Sequence, residues 1–195
     1  MDNQSLKQQI EDACNNLNQF FNNIAVLLKD CDRLMAEEGY TPFNGNTASY
    51  EISRSILNPE GWYPSYFSRA YVPEESSGYE PVDKVLFISI FLRYGVAGCH
   101  DVFMDDGTPL IVGGYIRPDD FDGFTYAGWL TKSWFWKDES NNISNANGEV
   151  YGTYKSFKNV KEIKSFAYPL GNIKNTTDIK GKIIERLVQI DSDDF

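Results

Sequence analysis

SLKQQIEDACNNLNQFFNNIAVLLKDCDRLMAEE, residues 5–38, places apolar side chains at alternating spacings of four and three: Leu6, Ile10, Ala13, Leu17, Phe20, Ile24, Leu27, Cys31 and Leu34. These are positions a and d of a heptad repeat. A second column at position e, Cys14, Phe21, Leu28 and Met35, recurs every seven residues. Nearly all remaining positions are Asn, Gln, Asp, Glu, Lys or Arg, and no Gly or Pro interrupts the run. Ser5 with Gln8 three residues on has the form of a capping box, and Gly39 followed by Pro42 that of a C-terminal stop. The spacing predicts one amphipathic helix of about 34 residues, roughly 50 Å long. A strict a/d seam suits a two-stranded coiled coil, whereas a/d plus e suits a helix laid on a wider core. With Cys, Phe, Leu and Met at e, the stripe is expected to be buried against the protein's own sheet. A body of this length has a radius of gyration near 16 Å, so the helix overhangs it. A homodimer through the N-terminal helix is the expected way of covering the excess.

Beyond the helix, residues 40–79 are rich in rings and broken by Pro42, Pro59, Pro64 and Pro73, which predicts an irregular segment with a turn at Asn58-Pro59-Glu60-Gly61. A sheet is expected over 84–168. Residues 84–94 are almost continuously apolar, as in a central strand buried on both faces. Residues 99–104 and 110–116 flank Asp105-Asp106-Gly107-Thr108-Pro109 and predict a hairpin. Gly113-Gly114 predicts a bulge or a close backbone approach. Strands are expected at 125–136 and 150–157, with an Asn-rich loop at 141–148 between them. Residues 178–190 predict a C-terminal helix capped by Thr177, with Ile179, Ile183, Leu187 and Ile190 on one face, widened by Ile184 and Val188. The whole chain, 1–195, reads as one α+β domain: both helices on one face of a mainly antiparallel sheet of five or six strands.

Composition narrows the function classes. The formal net charge is -10, and no basic stripe of the kind nucleic acid demands is present. The densest basic stretch, Lys155, Lys158, Lys161 and Lys164, reads as a solvated edge. The acidity would suit a basic protein partner and none made of nucleic acid. The longest apolar run, 85–92, is far short of the roughly 20 residues that cross a bilayer. The N-terminus lacks the basic and apolar regions of a signal peptide. Three cysteines without framework spacing fit a reducing compartment. The expectation is a cytoplasmic protein with no membrane association.

Candidate chemistry is thin. The one histidine, His100, stands beside Asp101 and close to Asp105 and Asp106, a set able to supply ligands to a divalent ion. The same acids suit a solvated hairpin turn. Asp119, Asp120 and Asp122 lack the alternation and closing Glu of a calcium loop. Glu162-Ile163-Lys164 has the E-x-K spacing of metal-dependent nucleases, where Asp138 or Glu149 would have to serve as the upstream acid. Neither a nucleophile motif nor a phosphate loop is present, and the sequence calls for no metal and no cofactor. Two ring clusters remain: Trp62, Tyr63, Tyr66, Phe67 and Tyr71, and Trp129, Trp134, Phe135 and Trp136. Trp62, Tyr63, Tyr66, Trp134 and Trp136 are the candidates for a ligand or partner surface, since Tyr and Trp are enriched at interfaces. The expectation is a non-enzymatic binding, sensing or protein-interaction domain. The alternative is a metal-dependent hydrolase or nuclease using His100, Asp101, Asp105 and Asp106.

Overall fold

The computed structural model describes residues 3–43, 45–50, 56–57, 62–64, 66–76, 82–92, 109–118, 142–146, 149–157 and 160–190. The heptad run forms one helix, α1 (Asn3–Glu37). It starts ahead of Ser5, so Ser5 does not cap it, and Gln8 donates from Nε2 to Asp12 Oδ1 (2.9 Å) one turn along. Its end is the one expected. Gly39 adopts φ +82°, and its N–H donates to the Ala36 carbonyl at 3.1 Å.

Eight strands follow: β1 (Tyr40–Pro42), β2 (Ser49–Tyr50), β3 (Tyr66–Pro73), β4 (Val85–Phe91), β5 (Leu110–Pro118), β6 (Asn142–Ala146), β7 (Glu149–Phe157) and β8 (Val160–Pro169). They pair in the order β1-β3-β4-β5-β8-β7-β6, with β2 also on β3, and every pairing among the described residues is antiparallel. The five long strands, β3, β4, β5, β7 and β8, are the body of the sheet, and β1, β2 and β6 are short additions to it. A 3₁₀ turn (Leu170–Asn172) leads to the C-terminal helix, α2 (residues 176–189). Both helices contribute to one core cluster on one sheet face, where Cys31, Leu34 and Met35 of α1 and Ile179, Ile183, Ile184 and Leu187 of α2 meet Tyr71, Leu86, Ile88, Ile111 and Phe166. The chain is therefore α+β, with its N- and C-terminal helices on an antiparallel sheet.

The helix face of the sheet follows from register. Tyr71 opposes Leu86, Leu86 opposes Tyr115, and Gly113 opposes Phe166. The alternate residues point the other way, and that face is buried too: Ser68, Ala70, Phe87, Ser89, Val112, Ile163 and Ala167 are all sequestered. Ser68 and Ser89, cross-strand partners, satisfy one another through a 2.5 Å hydroxyl hydrogen bond. Burial on both faces is why β4 is apolar throughout. The glycine pair in β5 serves close approach, not a bulge. A Cβ on Gly113 would stand 2.6 Å from the tip of the Phe166 ring, and one on Gly114 would stand 2.4 Å from the Lys164 carbonyl and 2.7 Å from the Phe87 ring. The register shift in β5 lies further on, between Arg117 and Pro118.

Four expectations are corrected. The segment 40–79 is not irregular throughout, because it holds β1, β2 and the buried strand β3. The Asn-rich stretch 141–148 contains β6, paired to β7. The lysine-rich stretch 155–164 runs from β7 into β8, and β8 is an interior strand held between β5 and β7. In α2, Asn175 rather than Thr177 is the N-cap, accepting from the Asp178 N–H at 2.9 Å. A π-helical turn at Lys180–Ile184 lets both Ile183 and Ile184 reach the core.

Candidate interaction surface

Two halves of α1 have different fates. The C-terminal half is bound to the body by its apolar face and by one buried ionic contact. Arg69, in the middle of β3, is only 3% exposed. Its guanidinium forks onto the Asp32 carboxylate, Nε to Oδ1 at 3.0 Å and Nη2 to Oδ2 at 2.6 Å, while Nη1 donates to the Thr47 carbonyl at 2.8 Å. The Tyr71 hydroxyl donates to Asp32 Oδ1 at 2.9 Å. A bidentate pair with its remaining donors satisfied is the arrangement in which burying a charge is tolerated. Burial pushes the Tyr71 hydroxyl well above its usual range, with the neighbouring Cys31 and Asp32 adding to it. Burial likewise pushes the Cys31 thiol up to about 12, with Asp32 and Asp30 adding to it. A thiol held protonated in this way is packing, not a nucleophile. Thr176 of α2 adds a hydrogen bond to Asp30 (3.2 Å).

The N-terminal half of α1 has no such cover. Every residue from 5 to 20 is exposed, and burial begins at Phe21 and Ile24. The expectation that the whole stripe packs on the body is therefore corrected for this half. Leu6, Ile10, Leu17 and Phe20, on the same face as the buried Ile24, Cys31 and Leu34, stand 47%, 56%, 50% and 38% exposed. What changes along the helix is position e: Lys7 and Cys14 in the exposed half, Phe21, Leu28 and Met35 in the packed half. The stripe widens from a/d to a/d/e where the body begins, as the width of an apolar face should follow the width of what covers it.

Where the halves meet, the strip runs into a groove of about 410 Å³. One wall is Phe21, Ile24, Ala25 and Leu28 of α1, and the other is Ala48, Trp62, Pro64 and Phe67. Phe67 reaches the groove because it alternates with the buried Tyr66 and Ser68 along β3, and its ring meets Phe21 edge-on at 5.9 Å. Phe20 continues the row at 5.7 Å from Phe21. The volume lies within the range of ligand pockets, but the lining is almost wholly apolar. Such a surface receives aliphatic and aromatic groups; it offers neither acid–base nor nucleophilic chemistry.

The residues singled out from the sequence divide accordingly. Trp62 lines the groove, 56% exposed, and Tyr63 beside it is 40% exposed. Tyr66 belongs to the opposite sheet face, where it is buried and its ring lies 5.7 Å from that of Phe91, so it is withdrawn from the surface set. Trp134, Trp136, His100, Asp101, Asp105 and Asp106 lie outside the described residues, as do Asp119, Asp120, Asp122 and Asp138. Glu162 accepts from the Tyr115 hydroxyl (2.9 Å) and stands 3.8 Å from Arg117, whereas Lys164 follows two residues on along β8. Among the described residues no group of three or more His, Cys, Asp and Glu side chains is placed to hold a metal ion, and no helix is long and apolar enough to cross a membrane. Comparison with protein-family models, with curated proteins and with solved structures finds no match to this chain.

Proposed function

We propose that this protein is a non-enzymatic interaction module that docks a protein partner on the exposed half of α1 and the groove at its root. One observation carries the reading. A single face of one helix buries Ile24, Leu28, Cys31, Leu34 and Met35 at one end and holds Leu6, Ile10, Leu17 and Phe20 in water at the other. Large apolar side chains in a row are costly to leave exposed, about 1.5–3 kcal/mol each when burial would be complete. A contiguous strip of them on an otherwise acidic protein marks a place where another macromolecule sits. The groove extends the strip with Trp62, an aromatic of the kind that anchors interfaces.

The test is site-specific photocross-linking in the cell, with benzoylphenylalanine in place of Leu17 and, as control, in place of Arg33 on the polar side of the helix. Adducts identified by mass spectrometry are expected from position 17, whether with a second copy or with another protein, and not from position 33. Equal labelling from both positions, or none from position 17, would overturn the reading.

A further inference from the structure

Resting on that docking surface, we infer that its occupant is a second copy of this chain, bound by antiparallel pairing of the two exposed half-helices about a two-fold axis near Asn15. The width of the strip is the first reason. Over residues 5–20 the apolar face is an a/d seam, Leu6, Ile10, Ala13, Leu17 and Phe20, widened at e only by the small Cys14, which is close to the seam of a two-helix contact and narrow for a sheet or a broad core.

Charge is the second. The chain carries -10 overall, yet residues 5–20 hold only Lys7 against Glu11 and Asp12, and Lys7 is bridged to Glu11 at 3.6 Å. This is the surface on which two like-charged copies meet with little repulsion. A basic partner would find few acids there. The positions flanking the seam at g are Gln9 and Asn16. An amide side chain both donates and accepts, so a row of amides is complementary to itself.

Register and length supply the third. In an antiparallel pair whose facing residue numbers sum to 30, every layer joins an a to a d position: Ile10 meets the partner's Phe20, Ala13 meets the partner's Leu17, and Leu6 falls opposite the partner's Ile24, which is buried in its own protomer and reached only where it lines the groove. The same contacts recur on the other side of the axis. Leu6 is thereby delivered to the groove of the other copy, where Ile24 stands beside Phe21, Ala25 and Leu28. The layers run from residue 6 to residue 24, about 27 Å of helix: the exposed strip of residues 5–20 and the groove at its root. A two-fold contact uses the same patch twice. Near the axis, the exposed Cys14 faces its own counterpart.

The experiment uses the purified full chain at micromolar concentration. Light scattering should give twice the 22.2 kDa of one chain, and Ile10→Glu and Leu17→Glu should each halve the mass without loss of the helical circular dichroism of the body. Mild oxidation with copper–phenanthroline should give a covalent dimer on a non-reducing gel, lost in Cys14→Ser and retained in Cys99→Ser. A wild-type mass of one chain overturns the proposal. So does a dimer that survives Leu17→Glu, or one that oxidation cannot link through Cys14. If the wild-type chain is monomeric while the residue-17 cross-linker captures a different protein, the docking surface stands and the second copy falls.

Discussion

Removing the Asp32 carboxylate should be among the most damaging single changes in the packed half of the molecule. In Asp32→Ala, Arg69 keeps its charge at a position 3% exposed and loses both arms of the fork, while its bond to the Thr47 carbonyl remains; Tyr71 loses the Asp32 acceptor as well. Breaking one side of a buried pair costs about 3–5 kcal/mol. In a chain of this length each kcal/mol moves the melting point by about 2–4 °C, so a fall of roughly 6–20 °C is expected. The complementary variant carries Asp32→Leu, Arg69→Met and Tyr71→Phe together. It leaves no unpaired charge at this site, with the Thr47 carbonyl to find a new donor, so it should melt far closer to the parent than Asp32→Ala does. Thermal and urea melts followed by far-ultraviolet circular dichroism read both. If Asp32→Ala melted within two degrees of the parent, Arg69 would be reaching water, and the account of how α1 is held to β3 would be wrong.

The other predictions follow from burial and space. Ile24→Asp places an unpaired charge in the core and should cost several kcal/mol, whereas Leu17→Asp should leave the fold of one protomer intact and act only through association, so its melting shift should shrink on dilution. Stability should decline as pH rises through the alkaline range: the Cys31 thiol ordinarily titrates near 9.0 and is pushed up to about 12 in the fold, so its contribution is complete below pH 9 and lost towards pH 12, and Tyr71 acts in the same direction from 10.0 upward. Urea midpoints from pH 8 to 11.5 should fall, and Cys31→Ala should flatten the first part of that decline. Gly114→Ala should be much worse than Gly181→Ala, because the first forces a Cβ to 2.4 Å from a backbone carbonyl while the second meets nothing within 4 Å and gains helix propensity of up to about 1 kcal/mol. Equal melting points for these two variants would contradict the packing of β5 on β8.

Much of this fold was legible where one physical demand governed a whole segment. The heptad run had to be a helix because no other structure puts residues spaced four and three on one side. β4 had to be central because only burial on both faces explains seven apolar or small residues in a row. Reading failed where two demands shared a strand. β3 alternates properly, with Tyr66, Ser68, Ala70 and Val72 to one face and Phe67, Arg69 and Tyr71 to the other. The arginine in its core-facing row breaks the apolar pattern, and its partner, Asp32, lies 37 residues away on the helix. β8 failed for a related reason. Its first half carries Lys161, Glu162 and Lys164, which look like a solvated surface, while Ile163 and the run from Ser165 to Ala167 are buried. A strand that carries charge in its first half and buried residues further on changes composition along its length, so its lysines read as a solvated edge although the strand is paired on both sides.

The docking surface was half legible for a reason that also supports it. Read as a whole, the a/d/e pattern of α1 predicts a helix covered along its entire length by the body. Read by halves, position e is Lys7 and Cys14 before it is Phe21, Leu28 and Met35, and the change falls where the exposed residues give way to buried ones. A helix that projected merely because its own body was too short to reach would have no reason to keep Leu6, Ile10, Leu17 and Phe20 in register. Polar residues there would lower the cost of exposure and leave the packed half untouched. What stands there instead is a seam of coiled-coil width, flanked by amides and nearly uncharged, on a chain that is otherwise strongly acidic. Width, register and charge each fit the proposed pairing with a second helix of the same kind, and none is required by the contacts the body makes with residues 21–37.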